Sequence, residues 1–170
     1  VGYGNAQPNV AESEKHMEFG SIEREIHVDA SPEIVFDVIS SPEHIRGWWN
    51  GAETDVSPTV GDVAEIAWGR GTADPHIEQM TVVEAQPPRL FSFRWVYEGA
   101  AVATPTNSLL VTFELVPSGA GTLIRLTETG FREKGWEAAV LEAAYADHVN
   151  GWDIFVPSLA AYVTRLVSTP

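Results

Sequence analysis

WEAAVLEAAYADHVNGWDIFVPSLAAYVTRL, residues 136–166, carries the longest helical period in the chain. Leu141, Tyr145, His148, Trp152, Phe155, Leu159, Tyr162 and Leu166 recur three or four residues apart and so stack along one face. At 1.5 Å per residue a helix of that length is a rod of roughly 45 Å, enough to cross a whole sheet. Two residues interrupt it. Gly151 has no Cβ and lets a second backbone or a ligand come close. Pro157 has no N–H to offer the carbonyl of Asp153, which predicts a bend at that point.

The residues before this helix alternate with a strand period. Candidate strands are 22–30, 52–57, 62–69, 76–86, 89–98, 107–116 and 121–129. Ser57-Pro58, Gly69-Arg70-Gly71, Pro87-Pro88, Gly99 and Ser118-Gly119-Ala120-Gly121 supply turns between them. RLFSFRWVYE at 89–98 is the clearest, with Phe91, Phe93, Trp95 and Tyr97 on one face and Ser92, Arg94 and Glu98 on the other. Leu109, Val111, Phe113 and Leu115 repeat that pattern on the next strand. Short connections imply an antiparallel meander with one face wet and one covered. After the first strand, Ser31-Pro32-Glu33 and Ser41-Pro42-Glu43 each spell a helix start: a capping Ser, Pro at the first position and an acid in the first turn. The expected fold is α+β of the helix-grip kind. A curved antiparallel sheet of about six or seven strands wraps a long C-terminal helix, with two short helices after strand 1.

The chain of 170 residues is the size of one domain. Asp and Glu number 24 against 10 Lys and Arg, a formal charge of −14, so phosphate backbones and anionic lipid surfaces are poor partners. The absence of cysteine excludes disulfides, thiolate catalysis and cysteine-ligated metal sites. No apolar run approaches the roughly 18 residues of a spanning helix, and no apolar signal core opens the sequence. A soluble, cytoplasmic protein is expected. Arg outnumbers Lys eight to two, a bias that suits a GC-rich bacterial genome. His16-Met17-Glu18-Phe19-Gly20-Ser21 translates three cloning sites in a row. Residues 1–21 are therefore read as expression-vector or disordered sequence, and 22–170 as the single domain.

Four segments together resemble one family. IHVDASPEIVFDVISSPEHIRGWW (26–49), VVEAQPPRLFSFRW (82–95), VTFELVPSGAGTLIRLTETGF (111–131) and HVNGW (148–152) are similar, in order and spacing, to the START-like helix-grip superfamily of lipid-transfer, polyketide-cyclase and birch-pollen-allergen-like proteins. Within it they resemble the homologues of the activator of heat-shock protein 90 ATPase. The loop GRGTADPHI (69–77) departs from the tighter glycine-bearing turn of relatives. The resemblance implies a cavity between sheet and helix.

His148 and Trp152 lie one turn apart on the face that meets the sheet. His148 can hydrogen-bond a ligand or act as an acid or base near neutral pH. The simpler alternative is a core histidine bonded to strand backbone, with Trp152 as packing. No carboxylate shares their helix face, since Asp147 and Asp153 point sideways, so no catalytic residue is assigned. Trp49, Trp68, Phe93, Trp95, Phe113 and Tyr145 complete the expected lining, with plain core as the alternative. Trp95 and Trp152 are expected to face each other. His76 reads as a solvated loop residue or an entrance guard. His27 and His44 have no ligand-spaced partners, HExxH is absent and Gly69-x-Gly71 lacks a third glycine, so neither metal nor cofactor is expected.

The expected function is binding of a small apolar or aromatic molecule, such as a lipid or polyketide. The alternatives are a cyclase or dehydratase using the same pocket and a module acting on a chaperone ATPase. The enzyme would need a second buried titratable group near His148, and Glu65, Glu78 and Glu84 are the acids to inspect. A homodimer is compatible with either; nucleic acid and a membrane span are not expected.

Overall fold

A computed structural model describes residues 20–96, 102–133 and 135–168. Along the chain come β1 (Ser21–Val28), α1 (Pro32–Ser40), α2 (Pro42–Trp48), β2 (Glu53–Thr54), β3 (Val63–Trp68), β4 (His76–Gln86), β5 (Leu90–Val96), β6 (Ser108–Ser118), β7 (Gly121–Thr129) and α3 (Ala138–Ser168). The strands form one antiparallel sheet in the order β1-β7-β6-β5-β4-β3-β2. β2 to β7 are a meander, and β1 returns to pair with β7. This is the expected α+β helix-grip architecture. Residues 1–19 and Tyr97 to Gly99 lie outside the described residues, and Ser21 already pairs with Thr129 in β1.

The two Ser-Pro-Glu starts begin helices by different means. Ser31 Oγ accepts from the Ile34 amide at 3.3 Å, an N-cap bond. Ser41 makes no such bond; its Oγ donates to Asp37 Oδ1 at 2.6 Å and ties the start of α2 to the last turn of α1. The pair Trp48-Trp49 then turns inward. Trp48 Nε1 donates to the Val38 carbonyl at 3.0 Å, and the two indoles stack at 5.0 Å between centroids.

Period-two alternation sets the covered face of the sheet: Ala64 and Ile66, then Met80 and Val82, Phe91, Phe93 and Trp95, then Leu109, Val111, Phe113 and Leu115, and finally Ile124 and Leu126. α3 closes this face as one helix that runs through both Gly151 and Pro157. Trp152, Leu159 and Val163 are its buried residues. The expected stripe is corrected at its end, where Leu166 is 38% exposed and Val163 is fully buried. At 3.6 residues per turn Val163 comes within about 20° of the Trp152 direction, whereas Leu166 lies in the last turn of α3.

α2 meets α3 at a glycine. A Cβ on Gly47 would lie 2.3 Å from Cε2 of Tyr162. The ring cannot simply swing away, because Tyr162 Oη sits 2.6 Å from His44 Nδ1. Gly47→Ala should therefore destabilise the fold by about 1–3 kcal/mol despite alanine's better helix propensity. Urea unfolding that shows equal or greater stability would contradict this contact.

Candidate functional site

On β7 the inward positions run Ile124, Leu126, Glu128, so alternation carries a carboxylate into the core with no exposed surface. Burying a carboxylate is costly unless donors fill its lone pairs. Three do. Oε1 accepts from His148 Nδ1 at 2.7 Å and from Trp152 Nε1 at 3.0 Å, and Oε2 accepts from Trp95 Nε1 at 2.8 Å. The carboxylate thus joins β7, β5 and α3 through side chains. It also fixes which ring nitrogen of His148 carries a proton, since only Nδ1–H can donate to it. Burial opposes the charged imidazolium, but the hydrogen bond and charge of Glu128, with Glu78 and Asp147 behind it, outweigh burial and hold His148 above the ordinary histidine value.

Beside this cluster lies a cavity of about 220 Å³. Trp49, Trp68, Trp95, Trp152 and Phe155 wall it, Gly151 floors it on α3, and Asn50, His76, Glu78, Asp147 and His148 supply its polar edge. Trp49 holds the wall together, with ring centroids 5.4 Å from Trp68 and 5.5 Å from both Trp95 and Trp152. Trp68 Nε1 donates to the Trp49 carbonyl at 2.9 Å. Glu78 faces inward from β4. Its Oε1 is 2.9 Å from His76 Nε2, while its buried Oε2 has no hydrogen-bond partner among the described residues. Burial raises the Glu78 carboxyl above its ordinary value, against the pull of His76 and His148 and with a smaller push from Glu128.

Of the residues singled out from sequence, the structure brings Trp49, Trp68, Trp95, His148 and Trp152 together around this space. Phe93 and Phe113 lie in the packed core behind it, Phe93 against Trp49 and Phe113 edge-on to Trp48 and Trp152. Tyr145 lies elsewhere on α3, its hydroxyl donating to the Ser21 carbonyl at 2.9 Å. Trp95 and Trp152 do face each other, with centroids 6.2 Å apart. Of the acids marked for inspection, Glu65 pairs with Arg70 on the surface, Glu84 is exposed and Glu78 lines the cavity. His148 bonds a carboxylate, that of Glu128, a residue the sequence reading did not single out. Its signal was there: it continues the parity of Ile124 and Leu126. Among the described residues no three metal-binding side chains converge, and no helix is long and apolar enough to cross a membrane.

The family described as activator of Hsp90 ATPase homolog 1-like protein matches residues 29–164. A search of curated protein sequences returns no match. Among solved structures, protein MLL2253 of Mesorhizobium loti is similar at 22% identity and a TM-score of 0.69, over 85% of this chain and 97% of that one. DynU16, from the dynemicin biosynthetic locus, is similar at 19% identity and a TM-score of 0.65, over 85% of this chain and 47% of that one. The Aha1 dimer of Colwellia psychrerythraea is similar at 17% identity and a TM-score of 0.60, over 84% and 95%.

The buried pair makes stability depend on pH. A histidine held above its unfolded value contributes stability below that value, and the contribution is lost as pH rises through the folded one. Glu78, also raised, acts in the same direction, because its neutral form is the one the fold favours. The melting temperature should therefore fall from pH 6 to pH 9. Glu128→Gln should cost about 1–3 kcal/mol and flatten that slope, since the largest influence opposing burial at His148 is then removed and only the weaker ones of Glu78 and Asp147 remain. An undiminished slope in the variant would contradict the assignment.

Proposed function

Because the chain belongs to the family of activator of Hsp90 ATPase homolog 1-like proteins, we propose that it binds a small aromatic or apolar molecule in the cavity between the sheet and α3. The observation that carries this reading is the wall of four tryptophans and Phe155 around a space left unfilled by side chains. Large aromatic faces supply contact area, while a few polar groups at one edge fix orientation. At about 220 Å³ the cavity is smaller than the roughly 300–1,000 Å³ of drug-sized sites, which suits one or two rings better than a long acyl chain.

One observation favours a second reading, a cyclase or dehydratase. His148 lines the cavity with its Nδ1 held by a buried carboxylate, an arrangement that orients an imidazole for proton transfer. The chaperone-directed activity in the family's description would act through a protein surface, and the cavity makes no use of it. A bacterial, cytoplasmic setting and self-association belong to the same proposal; the dimeric Colwellia relative supports the latter.

Indole is a suitable neutral probe. Its titration should produce saturable shifts in the indole N–H signals of Trp68, Trp95 and Trp152, with Trp48, which is not on the wall, largely unmoved. Gly151 offers a clean block: a Cβ there meets only Phe155, at 3.7 Å, so Gly151→Leu can fold while its side chain fills the cavity. The variant should be at least as stable as the parent and bind indole at least about tenfold more weakly. Absence of any saturable shift in the parent would overturn the binding reading.

A further inference from the structure

Most of the cavity's indole donors are already engaged. Indole N–H groups are the natural donors of a tryptophan wall, yet three are spent within the protein. Trp95 and Trp152 donate to Glu128, and Trp68 donates to the Trp49 carbonyl. These rings therefore offer a ligand their π faces and not their N–H groups. Among the described residues no Lys or Arg lines the space. The acids are Glu78 on the inner wall and Asp147 at the exposed rim, with Glu128 directly behind Trp95 and Trp152. Glu78 is 7% exposed, and its Oε2 is a buried acceptor that has no donor among the described residues. An unpaired buried acceptor is expensive, and a ligand that brings a hydrogen to it removes that expense.

We propose that the occupant is a protonated amine carried on an aromatic or apolar group, its N–H directed to the Glu78 carboxylate and its charge set against the tryptophan faces. This rests on the cavity being a binding site and adds the class of ligand. A neutral hydroxyl would also satisfy Oε2, but it would gain nothing from the π faces, which attract cations through the ring quadrupole. Among the described residues a carboxylate or phosphate would meet Glu78 and Asp147, with no Lys or Arg and only the neutral or imidazole donors of Trp49, Asn50, His76 and His148 to receive it. A formal charge of −14 on the chain favours approach of a cation at long range.

Three probes that share a phenyl ring and a two-carbon arm separate these cases by calorimetric titration at pH 7: phenethylammonium, phenethyl alcohol and hydrocinnamate. Phenethylammonium should bind at least about tenfold more tightly than the alcohol, with hydrocinnamate the weakest. Glu78→Gln should erase most of the ammonium's advantage while leaving affinity for the alcohol within about twofold. Equal affinities for ammonium and alcohol in the parent protein, or tighter binding of hydrocinnamate, would overturn the amine assignment and leave the pocket standing. Failure of all three probes and of indole would bring down the binding reading with it. The parent comparison decides the matter even if Glu78→Gln does not fold.

Discussion

One carboxylate, that of Glu128, governs how the long helix meets the sheet. It lies wholly out of water and accepts from Trp95, Trp152 and His148. Without those donors a buried charge would cost several kcal/mol; with them it becomes a rivet between β7, β5 and α3. Its hydrogen bonds also set ring orientations that hydrophobic packing alone would leave open. Apolar burial is non-directional, whereas each N–H here must point at an oxygen. The two indoles are held by their N–H edges to the carboxylate, and both line the space alongside.

That constraint connects the core to the cavity. A core built only from Leu, Ile and Phe tends to close on itself at organic-crystal density. Here four tryptophans are pinned by hydrogen bonds or by stacking, Trp49 against Trp48 and around the other three. Rings fixed in this way cannot collapse fully into the gap between sheet and helix. Gly151, set on α3 among them, adds no side chain to fill it. The polar edge has the opposite character, with Glu78 Oε2 lacking a partner among the described residues where Glu128 has three. One buried acid is structural and satisfied. The other keeps one oxygen without a donor among the described residues.

Much of this was written in the sequence. Alternation in RLFSFRWVYE and in residues 109–115, two Ser-Pro-Glu starts and a thirty-residue helical period suffice for the order and sense of the elements, because each depends on local geometry. The site was harder to read. Glu128 keeps the inward parity of Ile124 and Leu126, but an acid near a strand end is ordinarily solvated, and only strand register and the placement of α3 show that it meets His148. The partner of His148 does not lie on its own helix face but across from it on β7. Aromatic alternation likewise cannot separate Trp95, at the cavity, from Phe93, two residues earlier and inside the core. The difference lies in how far along the strand α2 and α3 leave their side chains apart. Val163 lies almost in line with Trp152, whereas Leu166 falls in the last turn of α3 and is more exposed.

The chain belongs to the activator of Hsp90 ATPase homolog 1-like family, and its sheet and long helix flank the cavity. What is particular to it is the chemistry of the enclosure, and that chemistry turns on the hydrogen bonds of Glu128. Nitrogen-15 NMR of the parent protein reads them directly. Three signals should stand together: His148 protonated at Nδ1 with a downfield proton, and the Trp95 and Trp152 indole N–H protons exchanging slowly with water. A His148 ring bearing its proton only on Nε2, or rapid exchange at either indole, would contradict the account.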